Sequence, residues 1–444
     1  MKSKFLFILL LLFSSTAMLR AQEIKNFTLK DAVHIALEKS DDARISETKV
    51  ITAQNELQTT KNAQYPDVSV SGQYQYLTNA NAEFSLATNT NDADPDPADT
   101  EPAATPQINQ LLLGQASVSM PLFSGFKLKN TVEASENRVK AATFSAESDK
   151  ESIALQTIRD YVNLYKAHRT VELLKENLKS AEQRVNDFSA MEENGLLARN
   201  DLLKAELRKS NVGLTLAQAK KNVSILNYRL VTFLKLPDET EINVDETNFD
   251  LMPTLQEVNP DISRPDLEAL NYQKLAAEKN VKSAQGDYYP TVALTGGYIA
   301  LDLQNALTVT NAMNVGVAVS YDLADIFKNK SKVRTAKSKA EQLEYNYDKA
   351  ADQVRVEVRN AQEEYQLAQQ NFEVYSQSEE QATENYRIVK DKYDNGLQDT
   401  NDLLEADVQR LQTKINLANA KANITQRYYE LQRAEGNLVN QLNN

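Results

Sequence analysis

Apolar positions along this chain follow two rhythms. One is a three-and-four spacing held over long stretches; the other is a strict two-residue alternation confined to short ones. Thr28-Leu29-Lys30-Asp31 opens the first helical stretch as a capping box ahead of Ala32, Val33, Ile35, Ala36 and Leu37, and the spacing predicts a helix to about Gln64. Tyr65-Pro66 ends it, because the residue before proline is pushed toward extended geometry. The period then changes. Val68, Val70, Gly72, Tyr74 and Tyr76 alternate with Ser69, Ser71, Gln73 and Gln75, which predicts a strand with one apolar and one polar face. A second alternating run sets Ala116, Val118 and Met120 against Gln115, Ser117 and Ser119, and leads through Pro121-Leu122-Phe123 into a helical pattern from about Lys127 to Glu193. Within it Val171, Leu174, Leu178, Ala181, Val185 and Phe188 keep the spacing of a coiled-coil seam. A helix of that length extends on the order of 100 Å at about 1.5 Å per residue, too long for a compact domain.

The same order then recurs. A helix from Asp201 to Leu234 is followed by an irregular acidic stretch, a helix from Arg264-Pro265 to Tyr288, and a second Tyr-Pro pair at Tyr289-Pro290. Alternation returns in Val292, Leu294, Gly296 and Tyr298, and again in Val315, Val317, Val319, Tyr321 and Leu323. A second long helix carries Val354, Val358, Ala361, Tyr365, Ala368, Phe372 and Tyr375 on its seam. Asn194-Gly195-Leu196 with Asn200-Asp201-Leu202-Leu203 matches Asn395-Gly396-Leu397 with Asn401-Asp402-Leu403-Leu404 at an offset of 201 residues. Each copy reads as a tight turn between antiparallel helices, with glycine in the left-handed conformation at the helix end and the following Asn and Thr residues to cap the next helix. Met120 to Tyr321 and Tyr228 to Tyr429 share that offset, so the chain is an internal duplication of helix, strand, strand, helix, helix.

The expected boundaries are a signal peptide over 1–21, a first-repeat helix over 22–64, and a strand hairpin over 65–123 with an acidic, Pro-rich loop around Asp92–Pro102. A long helical hairpin follows over 124–236 with its tip near 195, then a connector over 237–263. The second repeat supplies a helix over 264–288, a strand hairpin over 289–323 and a helical hairpin over 324–444 with its tip near 396.

Composition narrows the chemistry. The chain has no cysteine, two histidines (His34 and His168), and a net charge of −13, which together argue against thiolate or imidazole catalysis and against a nucleic-acid partner. No cofactor, metal or enzyme activity is expected. Lys2 and Lys4 ahead of the apolar run Phe5 to Phe13, with Ala21 before Gln22, read as a cleaved export signal. No later run is long and apolar enough for a membrane helix, so the expected locations are periplasm, outer membrane or exterior.

The strand runs, about 9 to 11 residues each, match the length of a tilted strand crossing a bilayer. Four such strands cannot close a barrel, and unpaired edges in hydrocarbon are costly, so copies of the chain would have to complete one another. Two would give eight strands with a filled interior; three would give twelve strands and an open lumen. The rival reading is a secreted or surface coiled-coil structural protein or adhesin without a pore. The cationic cluster Lys328, Lys330, Lys332, Arg334, Lys337 and Lys339 reads as a solvated face, with phosphate contact at a membrane rim as its alternative.

The duplicated layout, the paired Tyr-Pro motifs, Pro121-Leu122-Phe123 with Gly125, and the paired Asn-Gly-Leu tips resemble the outer membrane efflux proteins, the TolC-like outer membrane factors. The resemblance covers essentially the whole mature chain. It implies a homotrimer forming a twelve-stranded β-barrel in outer-membrane lipid, continued by a periplasmic α-helical barrel that holds most of the mass. It also implies a periplasmic adaptor (membrane fusion protein) and an inner-membrane pump of RND or ABC type. By the same resemblance Asp402 and Glu405 form an acidic ring at the periplasmic gate, Tyr393 is the gate tyrosine, and Asp201 and Asn200 are the positions contacted across the repeat. Gly195, Leu196, Gly396 and Leu397 would meet the adaptor. The arginine expected two residues after Gly396 is Gln398, which cannot form that salt bridge.

Overall fold

The computed structural model describes residues 24–81, 107–245, 249 and 264–443. The expected signal peptide, the acidic Pro-rich run and most of the connector lie outside the described residues. In chain order the elements are β1 (Ile24–Phe27), α1 (Leu29–Lys39), α2 (Asp41–Asn62), β2 (Asp67–Asn81), β3 (Gln107–Ser124), α3 (Lys127–Glu193), α4 (Arg199–Phe233) and β4 (Glu241–Val244). There follow α5 (Pro265–Gln285), a 3₁₀ turn at Gly286–Tyr288, β5 (Thr291–Leu303), β6 (Leu307–Ser320), α6 (Asp325–Asp394), α7 (Thr400–Glu435) and α8 (Leu438–Asn443). The chain divides into a helical unit, residues 1–50, 142–269 and 348–444, and a sheet-bearing unit, residues 51–141 and 270–347.

In the sheet-bearing unit the four longer strands form one antiparallel sheet in the order β2-β3-β5-β6. The strands run 13 to 18 residues, longer than the alternating runs alone suggested, because pairing resumes beyond register shifts at Tyr76/Ala80, Pro121/Phe123 and Ile299/Leu301. Register places Val68, Val118, Gly296 and Val315 in one row across the sheet, and Val70, Ala116, Tyr298 and Met313 in the next of the same face. The opposite face carries Ser69, Ser117, Gly297 and Asn314, with the Ser69 and Ser117 hydroxyls 2.7 Å apart. Apolar side chains on the first face stand bare, Val70 at 82% and Val315 at 83% exposure, which is not how a sheet ends up in water alone. Among the described residues β2 pairs only with β3, and β6 only with β5, so both outer edges are open.

Beneath this sheet two backbones touch. Gly125 has a φ of 61°, and a Cβ there would run into the Gly286 carbonyl oxygen and stand 2.9 Å from the Tyr289 Cβ. A Cβ on Gly286 would in turn stand 2.8 Å from the Gly125 carbonyl oxygen and 2.8 Å from the Lys127 Cβ. Glycine is required here by both conformation and space. The Phe126 ring, edge-on to Phe123 and Tyr289, and the Lys127–Asp287 ion pair at 2.7 Å surround the contact.

The helical unit has its main core where α1, α3, α4, α8 and a two-stranded parallel sheet of β1 and β4 meet, around Leu29, Val33, Ile158, Leu164, Leu230, Leu234, Ile242 and Leu438. Tyr161, fully buried, donates its hydroxyl to the Phe27 carbonyl at 2.6 Å and accepts from the Asp245 amide at 3.0 Å, tying the flanks of both strands to α3. Sequence periodicity gave no sign of β1 and β4, since four-residue strands are too short to show a period. The single helix expected to Gln64 is in fact two. Ser40 is extended, and its hydroxyl accepts from the Ala43 amide at 3.2 Å, ending α1 and starting α2. The predicted capping box is present, with Thr28 and Asp31 bonded reciprocally. The coiled-coil positions are core: Val171, Leu174, Ala181 and Phe188 on α3 are buried, as are Val354, Val358, Tyr365 and Ala368 on α6, while Tyr375 at the end of that series is exposed.

Candidate functional site: the paired helical tips

Both tips lie in the helical unit and share one hydrogen-bond pattern. At the first, Gly195 has a φ of 70°, its amide donates to Glu192 and the Leu196 amide to Met191. At the second, Gly396 has a φ of 71°, its amide donates to Tyr393 and the Leu397 amide to Lys392. These are paired Schellman closures, and the Asn194 and Asn395 side chains each add a bond to the carbonyl four residues earlier. Neither glycine has a heavy atom within 4 Å of where a Cβ would stand, so left-handed backbone, not crowding, selects it. A leucine after a Schellman glycine commonly folds back on its own helix. Here it does not: Leu196 is 74% and Leu397 75% exposed.

The repeats then diverge. Asp399 caps α7, its carboxylate accepting from the Asn401 and Asp402 amides at 2.8 and 3.1 Å. The equivalent residue before α4 is Ala198, which makes no side-chain cap. The Asn and Thr residues expected to cap these helices, Asn200, Thr400 and Asn401, lie inside them instead; only the second tip has a side-chain cap, and Asp399 supplies it.

Tyr393 packs with Phe188, Leu202 and Ala205, its ring stacked 5.8 Å from that of Phe188. Burial raises its pKa, a hydrogen bond with Thr400 opposes this, and the nearby Asp201 carboxylate adds to the rise. Asp201 itself pairs with Lys204 at 3.0 Å, and Asn200 is exposed. Gln398, standing where an arginine was expected, donates its amide to Asp402. Asp402 is half-buried and Glu405, one turn on, is exposed. The structure thus gathers Tyr393 and Asp201 around the Phe188 cluster, while Asp402 and Glu405 lie along the first turns of α7.

Charge reading along the sequence missed a polar cluster just above. Asp407 is fully buried and accepts from Arg184 at 3.1 Å, Asn177 at 3.3 Å and Arg410 at 2.9 Å. Arg184 also donates to the Tyr386 hydroxyl at 3.0 Å, and the Arg410 guanidinium lies 3.7 Å over the Tyr386 ring. Arg208 stands close enough to feel Asp407, and burial depresses its pKa, while its Nε has no partner. On paper Arg184 and Asp407 look like solvated helix charges; only their separation of 223 residues in the chain, closed by the fold, reveals the pair. Among the described residues no group of His, Asp and Glu is arranged to hold a metal ion, and no helix is long and apolar enough to cross a membrane.

Comparison with known proteins adds to this geometry. The family model for outer membrane efflux proteins matches residues 32–234 and 261–437. The chain is 23% identical over 340 residues to the outer membrane efflux protein BepC of Brucella suis biovar 1 (strain 1330), covering 76% of this chain and 75% of that protein. Among solved structures, the outer membrane protein VceC of Vibrio cholerae superposes with a TM-score of 0.74 at 17% identity, over 92% of this chain and 96% of that one. The CmeC outer membrane channel of Campylobacter jejuni superposes with a TM-score of 0.73 at 18% identity, over 92% and 86% of the two chains. These likenesses share the fold and lend nothing to a pore-free adhesin rod.

Proposed function

The chain belongs to the outer membrane efflux protein family and is an outer-membrane exit duct; on that premise we propose that three copies close a twelve-stranded barrel whose helices continue as a periplasmic tunnel. The observation that carries the assembly is the sheet with two open edges and one bare apolar face. Strand β2 runs antiparallel to β3, β3 to β5 and β5 to β6, so β2 of one copy and β6 of the next would meet antiparallel, and no edge would remain in hydrocarbon.

The helices support the same closure. Leu203, Leu214 and Ile225 on α4 are exposed at spacings of eleven residues, as are Val356 and Leu367 on α6. An eleven-residue repeat averages about 3.67 residues per turn, so each stripe stays on one side of a nearly straight helix. Two uncovered stripes per copy suit a ring of identical neighbours.

In this reading the constriction lies at the tips. Asp402 and Glu405 from three copies would form a ring attractive to cations, and Tyr393 with Asp201 and Asn200 would hold the closed arrangement. Leu196 and Leu397, bare beside Gly195 and Gly396, would be covered by a periplasmic adaptor that links the duct to an inner-membrane pump of RND or ABC type. The expected domain boundaries go with this: hairpins 65–123 and 289–323 in the membrane, helical hairpins 124–236 and 324–444 in the periplasm. The test is the mass and conductance of the detergent-extracted mature chain. A trimer that inserts into planar bilayers as a discrete channel is expected; a monomer without affinity for detergent or lipid overturns the assembly.

A further inference from the structure

We propose that Asp407 is a positioning residue for the gate, a buried clamp that fixes how α7 is turned and that must release before the second tip can move. The proposal rests on the reading of Asp402 and Glu405 as the constriction. Its own ground is geometric. At about 100° per residue, Glu405 stands about 200° and Asp402 about 140° around α7 from Asp407. Anchoring Asp407 inward on α3 therefore turns both acids away from α3.

The anchor is of a kind that breaks in one step. A carboxylate with no exposure is retained only while its lone pairs are filled, and here α3 supplies Arg184 and Asn177 while α7 itself supplies Arg410. Arg184 and Arg410 both engage Tyr386, so α6 is held by the same knot. Two guanidinium groups, Arg184 and Arg410, bond this carboxylate, and a third, Arg208, lies within its field. Removing the negative charge would leave those cations repelling one another across α3, α4 and α7, which drives the helices apart instead of merely loosening them. The duplication has no second copy of the device. Positions 201 residues from Arg184 and Asp407 hold Asn385 and Glu206, so only the second hairpin is pinned in this way.

The experiment uses the full mature trimer in planar bilayers, reading open probability at low voltage together with cation selectivity. Asp407→Asn should raise open probability on the order of tenfold while the trimer still assembles. Arg184→Lys keeps the charge but loses the fork that bridges Asp407 and Tyr386, and should give a smaller rise of about several-fold. The double variant Arg184→Met/Asp407→Leu replaces the pair with apolar groups; its melting temperature should stay near wild type while its open probability remains high, which a purely structural role would not produce. Wild-type open probability in assembled Asp407→Asn and Arg184→Lys channels overturns the clamp. If those stay closed while Asp402→Ala/Glu405→Ala changes selectivity, the clamp falls and the acidic ring stands; unchanged selectivity in the latter variant removes the ring itself.

Discussion

Four glycines with φ between 61° and 79° look interchangeable as left-handed turns, yet the structure separates them sharply. Alanine at Gly195 or Gly396 would meet open space, so its cost is left-handed strain of about 1–2 kcal/mol. That is offset by about 0.4–1 kcal/mol through the stiffer unfolded chain, leaving about 0–1.5 kcal/mol. Alanine at Gly125 carries the same strain and also drives a Cβ into the Gly286 carbonyl and toward the Tyr289 Cβ at 2.9 Å. Gly286 lies in the 3₁₀ turn and Tyr289 caps it, its amide bonded to the Gly286 carbonyl at 3.0 Å, so neither neighbour can swing aside. Overpacking of this sort adds about 1–3 kcal/mol, for about 1–4.5 kcal/mol in all. Hydrogen exchange on the assembled protein in detergent reads this locally. The Asn130 amide, bonded to the Phe126 carbonyl at 3.0 Å, should exchange about 5- to 2,000-fold faster in Gly125→Ala. The Leu397 amide, bonded to Lys392 at 2.8 Å, should change by no more than about tenfold in Gly396→Ala. Equal acceleration in the two variants would refute the argument from crowding.

Three further outcomes follow from the side chains. Asp402→Ala/Glu405→Ala should weaken cation preference and block by multivalent cations in bilayer recordings. Arg264, 5% exposed, donates to Asp266, Glu357 and the Ala434 carbonyl; Arg264→Ala should cost about 2–4 kcal/mol in denaturant unfolding, with Arg264→Lys recovering only part. Burial lowers the Lys166 pKa to about 8, below its unfolded value, with Arg427 pushing the same way and Glu430 opposing. The folded chain then sheds this proton first as pH rises, so wild-type stability should climb between about pH 8 and 10 relative to Lys166→Met, by about 1–2 kcal/mol after allowing for the part-exposed amine. A flat difference across that range would contradict the assignment.

What could be read from sequence was whatever repeats or alternates. The tips were legible because glycine in a left-handed turn leaves a mark in the residue type itself, twice, at a fixed offset. The strand hairpins were legible because one face is apolar and the other is not. Strand ends were not, since register at Pro121 and beyond Tyr76 depends on the neighbouring strand. The break at Ser40 hid because serine is tolerated inside helices and only its extended backbone shows it acting as a cap. The Asp407 knot was invisible for a different reason: its members are ordinary polar and charged residues on four helices, and burial, not type, makes them consequential. The same holds for the Gly125–Gly286 contact, where sequence marks one glycine and only the fold supplies the other.

Ala198 against Asp399 carries one more implication. A missing cap weakens a helix start by about 1 kcal/mol, so the opening turn of α4 should unwind about five times as often as that of α7. Two halves copied from a single ancestor would thereby wear differently at their matching bends, one stitched and one left loose. Symmetry in the blueprint has become a division of labour, with compliance on one side and a firm stop on the other.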